Sequence, residues 1–121
     1  MKRDMDLIRR IAFATEELES GETLEGLEDV DPAAFEQHVV WMQEAGLIEA
    51  VITEYLGAED SLIMVQRLTW QGCDFLDAAR DEGLWSKAKA TVIKPSASFT
   101  FGLLKEWLTG EIRQGLPSLG M

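Results

Sequence analysis

The chain has a single cysteine and a single histidine among its 121 residues. One cysteine cannot close an intramolecular disulfide, and together with one histidine it cannot assemble a zinc site of the usual spacing. No apolar run approaches the roughly 20 residues that cross a bilayer, and the opening MKRDMDLIRR has acids where a secretion signal has its apolar segment. We therefore expect a protein of the reducing cytoplasm, without a membrane partner.

Basic residues are missing from a long stretch of the chain. The 56 residues between Arg10 and Arg67 contain no Lys or Arg, whereas they contain 14 Asp or Glu, and the formal net charge of the whole chain is -11. A hydrophobic content of 46% still indicates a folded protein rather than a disordered one. The acidic excess has two interpretations, a solvated surface that keeps a small protein soluble or a surface that binds a partner.

Motifs of catalysis and cofactor binding are also missing. The sequence has no glycine-rich dinucleotide fingerprint, no P-loop and no nucleophile elbow, and GLEDVD lacks the closing Glu of a calcium loop. His38 is more simply explained as a packed or half-exposed residue than as a general base. For Cys73, burial as a small hydrophobe is commoner than an activated thiol. We predict a protein that is not an enzyme and has no cofactor or metal.

What the sequence does contain is helical periodicity. Residues 4–19 repeat apolar side chains at helical spacing and predict a first helix, and residues 22–29 could form a short second helix that Gly26 weakens. A third helix is predicted at about 32–45. Its boundary signals are Asp31 as the N-cap, Pro32 at the first helical position and Gly46 as the stop.

Two runs rich in β-branched and aromatic residues follow. Residues 47–56 and 61–68 predict an antiparallel hairpin with GAED as its turn. Thr69 should then cap a helix from Trp70 to about Glu82. Gly83 is expected to break the chain before a further helical stretch, LWSKAKATVIK, and a last helix is predicted within 99–115.

The order of these elements is helix, helix, helix, strand, wing, strand, helix, with extra helices at the C-terminus. We therefore predict an α+β, mainly helical fold of the winged-helix kind. Residues 1–94 would form the winged-helix-like domain, and residues 95–121 would provide a linker, from the KPSAS segment, and a C-terminal helix for packing or dimerisation.

Three segments carry a resemblance to a known family. The chain's MKRDMDLIRRI, MQEAGLIEA and RLTWQGCDFLDAARDEGLWSKAK segments resemble those of a family of small proteins from bacteria, prophages and phages that is catalogued as a domain of unknown function. The resemblance implies a winged-helix-like fold and a mobile-element setting, in the cytoplasm of a bacterial host. It implies no activity and no catalytic residues. The long acidic segment departs from the family's pattern.

The predicted third helix is the one that would enter the major groove of DNA. Its inward side chains should be Phe35, Val39 and Met42, followed by Leu47. Carboxylates and apolar groups dominate the outward positions and the wing, where duplex DNA requires donors and positive charge, so we do not expect duplex DNA to bind through this helix. We expect these residues to bind a protein: Glu36, Gln37, Val40, Trp41, Glu44, Glu59 and Asp60. The alternative is that Val40 and Trp41 are covered by the C-terminal helices or by a second subunit.

The last helix has a broad apolar arc. The arc predicts a homodimer, and packing within the chain is the alternative. The dimer contact would consist of five residues: Phe101, Leu104, Trp107, Leu108 and Ile112.

Two functions follow from these expectations. The first is a small acidic interaction protein of phage or prophage type that binds a host protein, as an inhibitor or as a nucleic-acid mimic. The second is a dimeric winged-helix regulator of transcription that binds DNA. Any such DNA binding would use the two basic clusters, which are interleaved with acids: Lys2, Arg3, Arg9 and Arg10 in the first, and Arg80, Lys87, Lys89 and Lys94 in the second.

Overall fold

The computed structural model describes residues 1–54, 61–93 and 100–115. These residues form five α-helices and one two-stranded antiparallel sheet, which confirms the predicted α+β, mainly helical class. The chain divides into two compact units, Met1–Leu76 and Asp77–Met121, and each is described below by itself. The predicted turn of the hairpin and the predicted linker, residues 94–98, lie outside the described residues.

The first unit begins with helix α1, Met5–Glu16. Asp4 is its N-cap, because the Asp4 carboxylate accepts the backbone N–H groups of Asp6 and Leu7 at 3.0 and 3.2 Å. The helix packs against the second helix and against the sheet. It ends earlier than predicted, and its buried face is continuous along its length: Met5, Leu7, Ile8, Ile11, Ala12 and Thr15.

The segment after α1 is not the predicted short helix. Leu24 instead makes an isolated antiparallel bridge with Val65, through two backbone hydrogen bonds of 2.9 Å. The chain then turns over residues 28–29. Gly26 lowers the helical propensity of a segment that has only two apolar anchors, and the main-chain pairing of Leu24 provides the backbone bonds that a helix would have supplied.

Helix α2, Pro32–Glu44, begins and ends where its boundary signals predict. The Asp31 carboxylate accepts the backbone N–H of Ala34 at 3.2 Å. At the other end Gly46 has a positive φ of 76°, and the N–H groups of Gly46 and Leu47 donate to the carbonyls of Gln43 and Met42. This is a Schellman ending, which turns the chain directly into the first strand.

The sheet consists of β1, Ile48–Glu54, and β2, Ser61–Leu68, with Ile52 opposite Ile63 and a bulge between Glu49 and Ala50. Period-two alternation places Ile48, Ile63 and Val65 in the core, with exposed fractions between 0 and 6%. The opposite face of the hairpin has exposed Val51 and Leu62.

Hydrogen bonds of the TWQG segment hold α3, Trp70–Ala79, against the corner between α2 and β1. The Thr69 hydroxyl accepts the N–H of Gly72 at 3.0 Å and donates to the carbonyl of Gly46, while the Thr69 N–H donates to the carbonyl of Leu47 at 2.9 Å. A Cβ atom at position 72 would lie 1.9 Å from the Leu47 carbonyl oxygen. The backbones therefore approach so closely that only glycine fits.

The second unit contains α4, Glu82–Ala88, a π-helical turn, Lys89–Ile93, and α5, Phe101–Gly115, which packs against both. The predicted helix to Glu82 was too long, and the predicted break at Gly83 was wrong. Helix α3 ends at Ala79, and Asp81 starts the next helix, because its carboxylate accepts the Leu84 N–H at 2.7 Å and makes it the N-cap of α4. The Thr100 hydroxyl caps α5 in the same way, accepting the Leu103 N–H at 3.2 Å.

Candidate protein-interaction surface

Helix α2 has a buried side that matches the predicted inward residues. Phe35, Val39 and Met42 are 3, 0 and 1% exposed, and Leu47 just after the helix is 2% exposed. These residues follow helical spacing, so the predicted outward residues lie on the remaining sides of α2.

The outward residues of α2 form what we call the α2 face, defined by Glu36, Gln37, Val40, Trp41 and Glu44. Glu44 is exposed and the other four are half-buried. The structure therefore brings two carboxylates, one amide and two apolar side chains together along one helix. The other two predicted site residues, Glu59 and Asp60, lie outside the described residues.

His38 holds the start of α1 against α2. Its Nδ1 atom lies 2.7 Å from the Ala34 carbonyl oxygen, and its Nε2 atom accepts the backbone N–H of Asp4 at 2.9 Å. Because Nε2 accepts a hydrogen bond, the proton of the neutral ring is on Nδ1 and is donated to Ala34. The buried imidazole also meets the Trp41 ring edge to face, with 5.1 Å between ring centres. His38 thus positions Trp41, a role that its place in the sequence did not reveal.

Arginines of the first unit are engaged within the chain. The guanidinium of Arg9 lies 4.9 Å from the centre of the Phe13 ring, and Arg67 binds both carboxylate oxygens of Glu49 across the sheet, at 2.7 and 3.0 Å. Arg10 donates to Asp29 at 2.6 Å. This hydrogen bond lowers the pKa of the Asp29 carboxyl and raises the pKa of Arg10, although both groups are exposed to solvent.

The predicted basic cluster of the second unit is also partly paired. Arg80 binds Asp77 at 3.0 Å, and Lys87 lies 3.8 Å from Glu111 on α5. Lys94 lies outside the described residues. Neither predicted cluster therefore presents a full set of unengaged cations for phosphate groups.

The predicted dimerisation stripe on α5 divides into two sets. Leu104 and Leu108 are 0% exposed within the single chain, so they cannot form a dimer face while α5 stays packed. This corrects the assignment of those two residues. Phe101 and Trp107 are half-buried, and Ile112 is 36% exposed.

Two residues have an exposure that the sequence did not predict. Cys73 is exposed, which corrects the expectation of a buried thiol. Trp70, the first residue of α3, is 80% exposed. The apolar stripe of α3 consists of Phe75, Leu76 and Ala79, and Trp70 lies outside it. Its position relative to that stripe could have predicted its exposure.

The described residues contain no group of three or more His, Cys, Asp or Glu side chains arranged to hold a metal ion. Over the same residues, every helix is too short or too polar to cross a membrane.

Comparison with known proteins supplies a family. The chain is 31% identical, over 109 residues, to a Haemophilus influenzae protein named "Uncharacterized protein"; the match covers 88% of this chain and 91% of that relative. No solved structure matches the chain. The family described as "Hypothetical protein (DUF2513)" matches residues 2–98, which include the MKRDMDLIRRI and LTWQG segments. The chain belongs to this family of unknown function.

Proposed function

We propose that the protein is a small acidic adaptor or inhibitor that binds a protein partner through the α2 face, without catalysing a reaction. The observation that carries the proposal is the chemistry of that face. Apart from Gln37, its side chains are carboxylates or apolar groups, where a nucleic-acid reader would have Arg, Lys, Asn and Gln.

The arrangement of the first unit supports a winged-helix origin for this surface. Helix α1, the one-residue strand at Leu24, helix α2 and the β1–β2 hairpin follow one another in winged-helix order. The turn at residues 27–30 takes the place of the second helix. In a winged-helix unit α2 would take the position of the recognition helix, the element that meets a ligand.

Electrostatics make duplex DNA a poor ligand for this unit. Residues 1–76 contain five Lys or Arg against seventeen Asp or Glu, a formal charge of -12. Phosphate neutralisation supplies nearly all non-specific affinity for DNA, and a surface of this charge repels phosphates. A basic protein surface is the complementary partner, and its charge would also speed association.

Trp41 and Val40 give the α2 face its apolar contacts. Tryptophan is enriched among residues that dominate interface energies, and His38 holds this ring by an edge-to-face contact before any partner binds. An acidic helix of this kind can occupy the basic nucleic-acid groove of a host enzyme. The phage and prophage setting implied by the sequence resemblance is consistent with such a target.

The test combines a DNA-binding assay with capture of partners. A gel shift of the wild-type chain with random duplex DNA at low salt should show no complex. A salt-sensitive shift would overturn the proposal and support a DNA-binding regulator instead.

Capture from a bacterial lysate should then compare the wild type with the Val40→Ser/Glu44→Lys variant. The matched control is Glu17→Lys, which makes the same change of charge at the end of α1. Partners retained by the wild type and the control but lost by the α2 variant support the α2 face. Equal loss from both variants would show that net charge alone captured them, and would contradict the proposal.

A further inference from the structure

A cleft of about 630 Å³ opens in the first unit where the chain leaves the sheet after Leu24. Antiparallel pairing at Leu24 and Val65 would place Gly26 opposite Ile63 if the strand continued. The chain turns away instead, and Gly26, Leu27, Leu62 and Ile63 line the resulting gap. Its volume lies within the usual range of ligand sites, roughly 300–1,000 Å³.

The edge of β2 faces this gap. Both main-chain groups of Val65 bond to Leu24, so they point away from β1. Alternate residues of a strand direct their main-chain groups to the same edge, so the N–H and C=O of Ile63 point the same way. In the described part of the chain, no backbone hydrogen bond meets Ile63 on that side. The cleft therefore contains a short strand edge that can accept another chain.

The lining of the cleft combines an apolar floor with an acidic rim. Leu27, Val30, Pro32, Phe35 and Ile63 provide the apolar atoms. Glu25, Asp31 and Glu36 provide three carboxylates, of which the Asp31 group also caps α2. None of the described residues that line the cleft is Lys or Arg.

We propose that this cleft binds an extended peptide segment of a partner protein, in which apolar residues are flanked by Lys or Arg. The segment adds to the edge of β2 at Ile63, its apolar side chains cover the cleft floor, and its cations meet the three carboxylates. The proposal rests on the proposed function, which makes the occupant of the cleft a protein. It adds the kind of sequence that the bound segment of this partner contains. The cleft shares only Glu36 with the α2 face.

The probe is a blocked synthetic peptide with two central Ile or Val residues and Lys-Arg on each side. Titration calorimetry with the full chain should detect binding, and a peptide with Glu in place of each Lys and Arg should not bind. In two further peptides, alternate backbone nitrogens are N-methylated. One peptide is methylated at its odd-numbered residues and the other at its even-numbered residues. Because only one edge of the peptide faces β2, one register should lose binding and the other should keep it. Equal binding by both would overturn strand addition.

Gly26→Trp should obstruct the cleft and weaken peptide binding by at least about tenfold. The variant should fold, because a Cβ at position 26 meets no atom within 4 Å. Circular dichroism checks this. Glu25→Gln should weaken binding about threefold, and Glu17→Gln, a loss of the same charge outside the cleft, should leave it unchanged. Unchanged binding by Gly26→Trp, or equal effects of the two Gln variants, would overturn the cleft site.

The Val40→Ser/Glu44→Lys variant separates this inference from the function of the α2 face. It should bind the peptide as the wild type does. If the wild type binds the peptide but captures no partner from the lysate, only the proposed function of the α2 face is contradicted. If capture succeeds while the peptide does not bind, only the cleft is contradicted.

Discussion

The two units of the molecule have opposite electrostatic characters. The first, residues 1–76, has a formal charge of -12, whereas the second, residues 77–121, has six Lys or Arg against five Asp or Glu, a charge of +1. Both are built by the same local devices, with Asp4, Asp31 and Asp81 as N-caps. Uncharged Ser, Thr or Asn would cap almost as well, so capping does not require the negative charges of Asp4 and Asp31. The proposed contact with a basic partner would use this charge.

The sharpest test of the first unit compares two neighbouring valines on α2. Val39 is 0% exposed and Val40 is half-buried on the α2 face. Val39→Asp should bury an unpaired carboxylate and lower the free energy of unfolding by about 4 kcal/mol or more. Val40→Asp should cost about 1 kcal/mol and mainly weaken partner capture. Urea unfolding measures both, and equal losses would show that α2 has no outward face.

Trp41→Ala should leave the domain folded. It removes the edge-to-face contact with His38, worth about 1 kcal/mol, and weakens partner capture more than it lowers the melting temperature. A variant as unstable as Val39→Asp would assign Trp41 to the core and remove it from the interaction surface.

Two Gly→Ala substitutions, one in each unit, test how closely the backbone of each unit is packed at that position. Gly72→Ala places a methyl group 1.9 Å from the Leu47 carbonyl oxygen and should destabilise the protein by about 3 kcal/mol. Gly110→Ala, on α5, meets nothing within 4 Å and should raise stability by up to about 1 kcal/mol through helix propensity. Thermal melting distinguishes them. If Gly72→Ala melts like the wild type, the close approach of α3 to the α2–β1 corner is not required.

The oligomeric state tests whether the exposed apolar residues of the second unit bind a second copy of the chain. The apolar residues that α5 leaves at the surface include Leu103, 51% exposed, and Ile112. We predict a dimer at micromolar concentration by light scattering, and a monomer for Leu103→Glu/Ile112→Glu. Truncation before α5 would be harder to interpret, because it would also remove the buried Leu104 and Leu108 and expose the residues that they cover. A monomeric wild type would end the dimer hypothesis.

The elements that the sequence predicted well are those with local signals. Pro32 and Gly46 fixed α2 to within a residue, and runs rich in β-branched and aromatic residues located both strands. One error was local, because the N-cap Asp81 was missed as the start of α4. The other errors came where contacts between distant residues decide the structure. The bridge between Leu24 and Val65 is a pairing of main-chain atoms, which side-chain periodicity does not report, and the role of His38 depends on Asp4, 34 residues away. The α2 residues followed from helical spacing, whereas the cleft required the three-dimensional path of residues 24–33.

The smallest expected effect concerns the ion pair between Arg10 and Asp29. The hydrogen bond from Arg10 lowers the pKa of Asp29 in the folded state below its unfolded value of about 3.9, so the pair contributes stability above that pH. The contribution is lost as pH falls through the folded pKa. Since both side chains are exposed, solvent screens the pair and the gain is small. Asp29→Asn should slightly lower the melting temperature at pH 7, and the difference from the wild type should shrink toward zero as the pH falls through the lowered pKa that Asp29 has in the folded state. The matched control, Glu28→Gln, removes the neighbouring charge and should instead leave the melting temperature unchanged or raise it, because the acidic unit repels itself. A decrease of equal size in both variants would show that the ion pair has no specific effect, and that only the loss of surface charge is being measured.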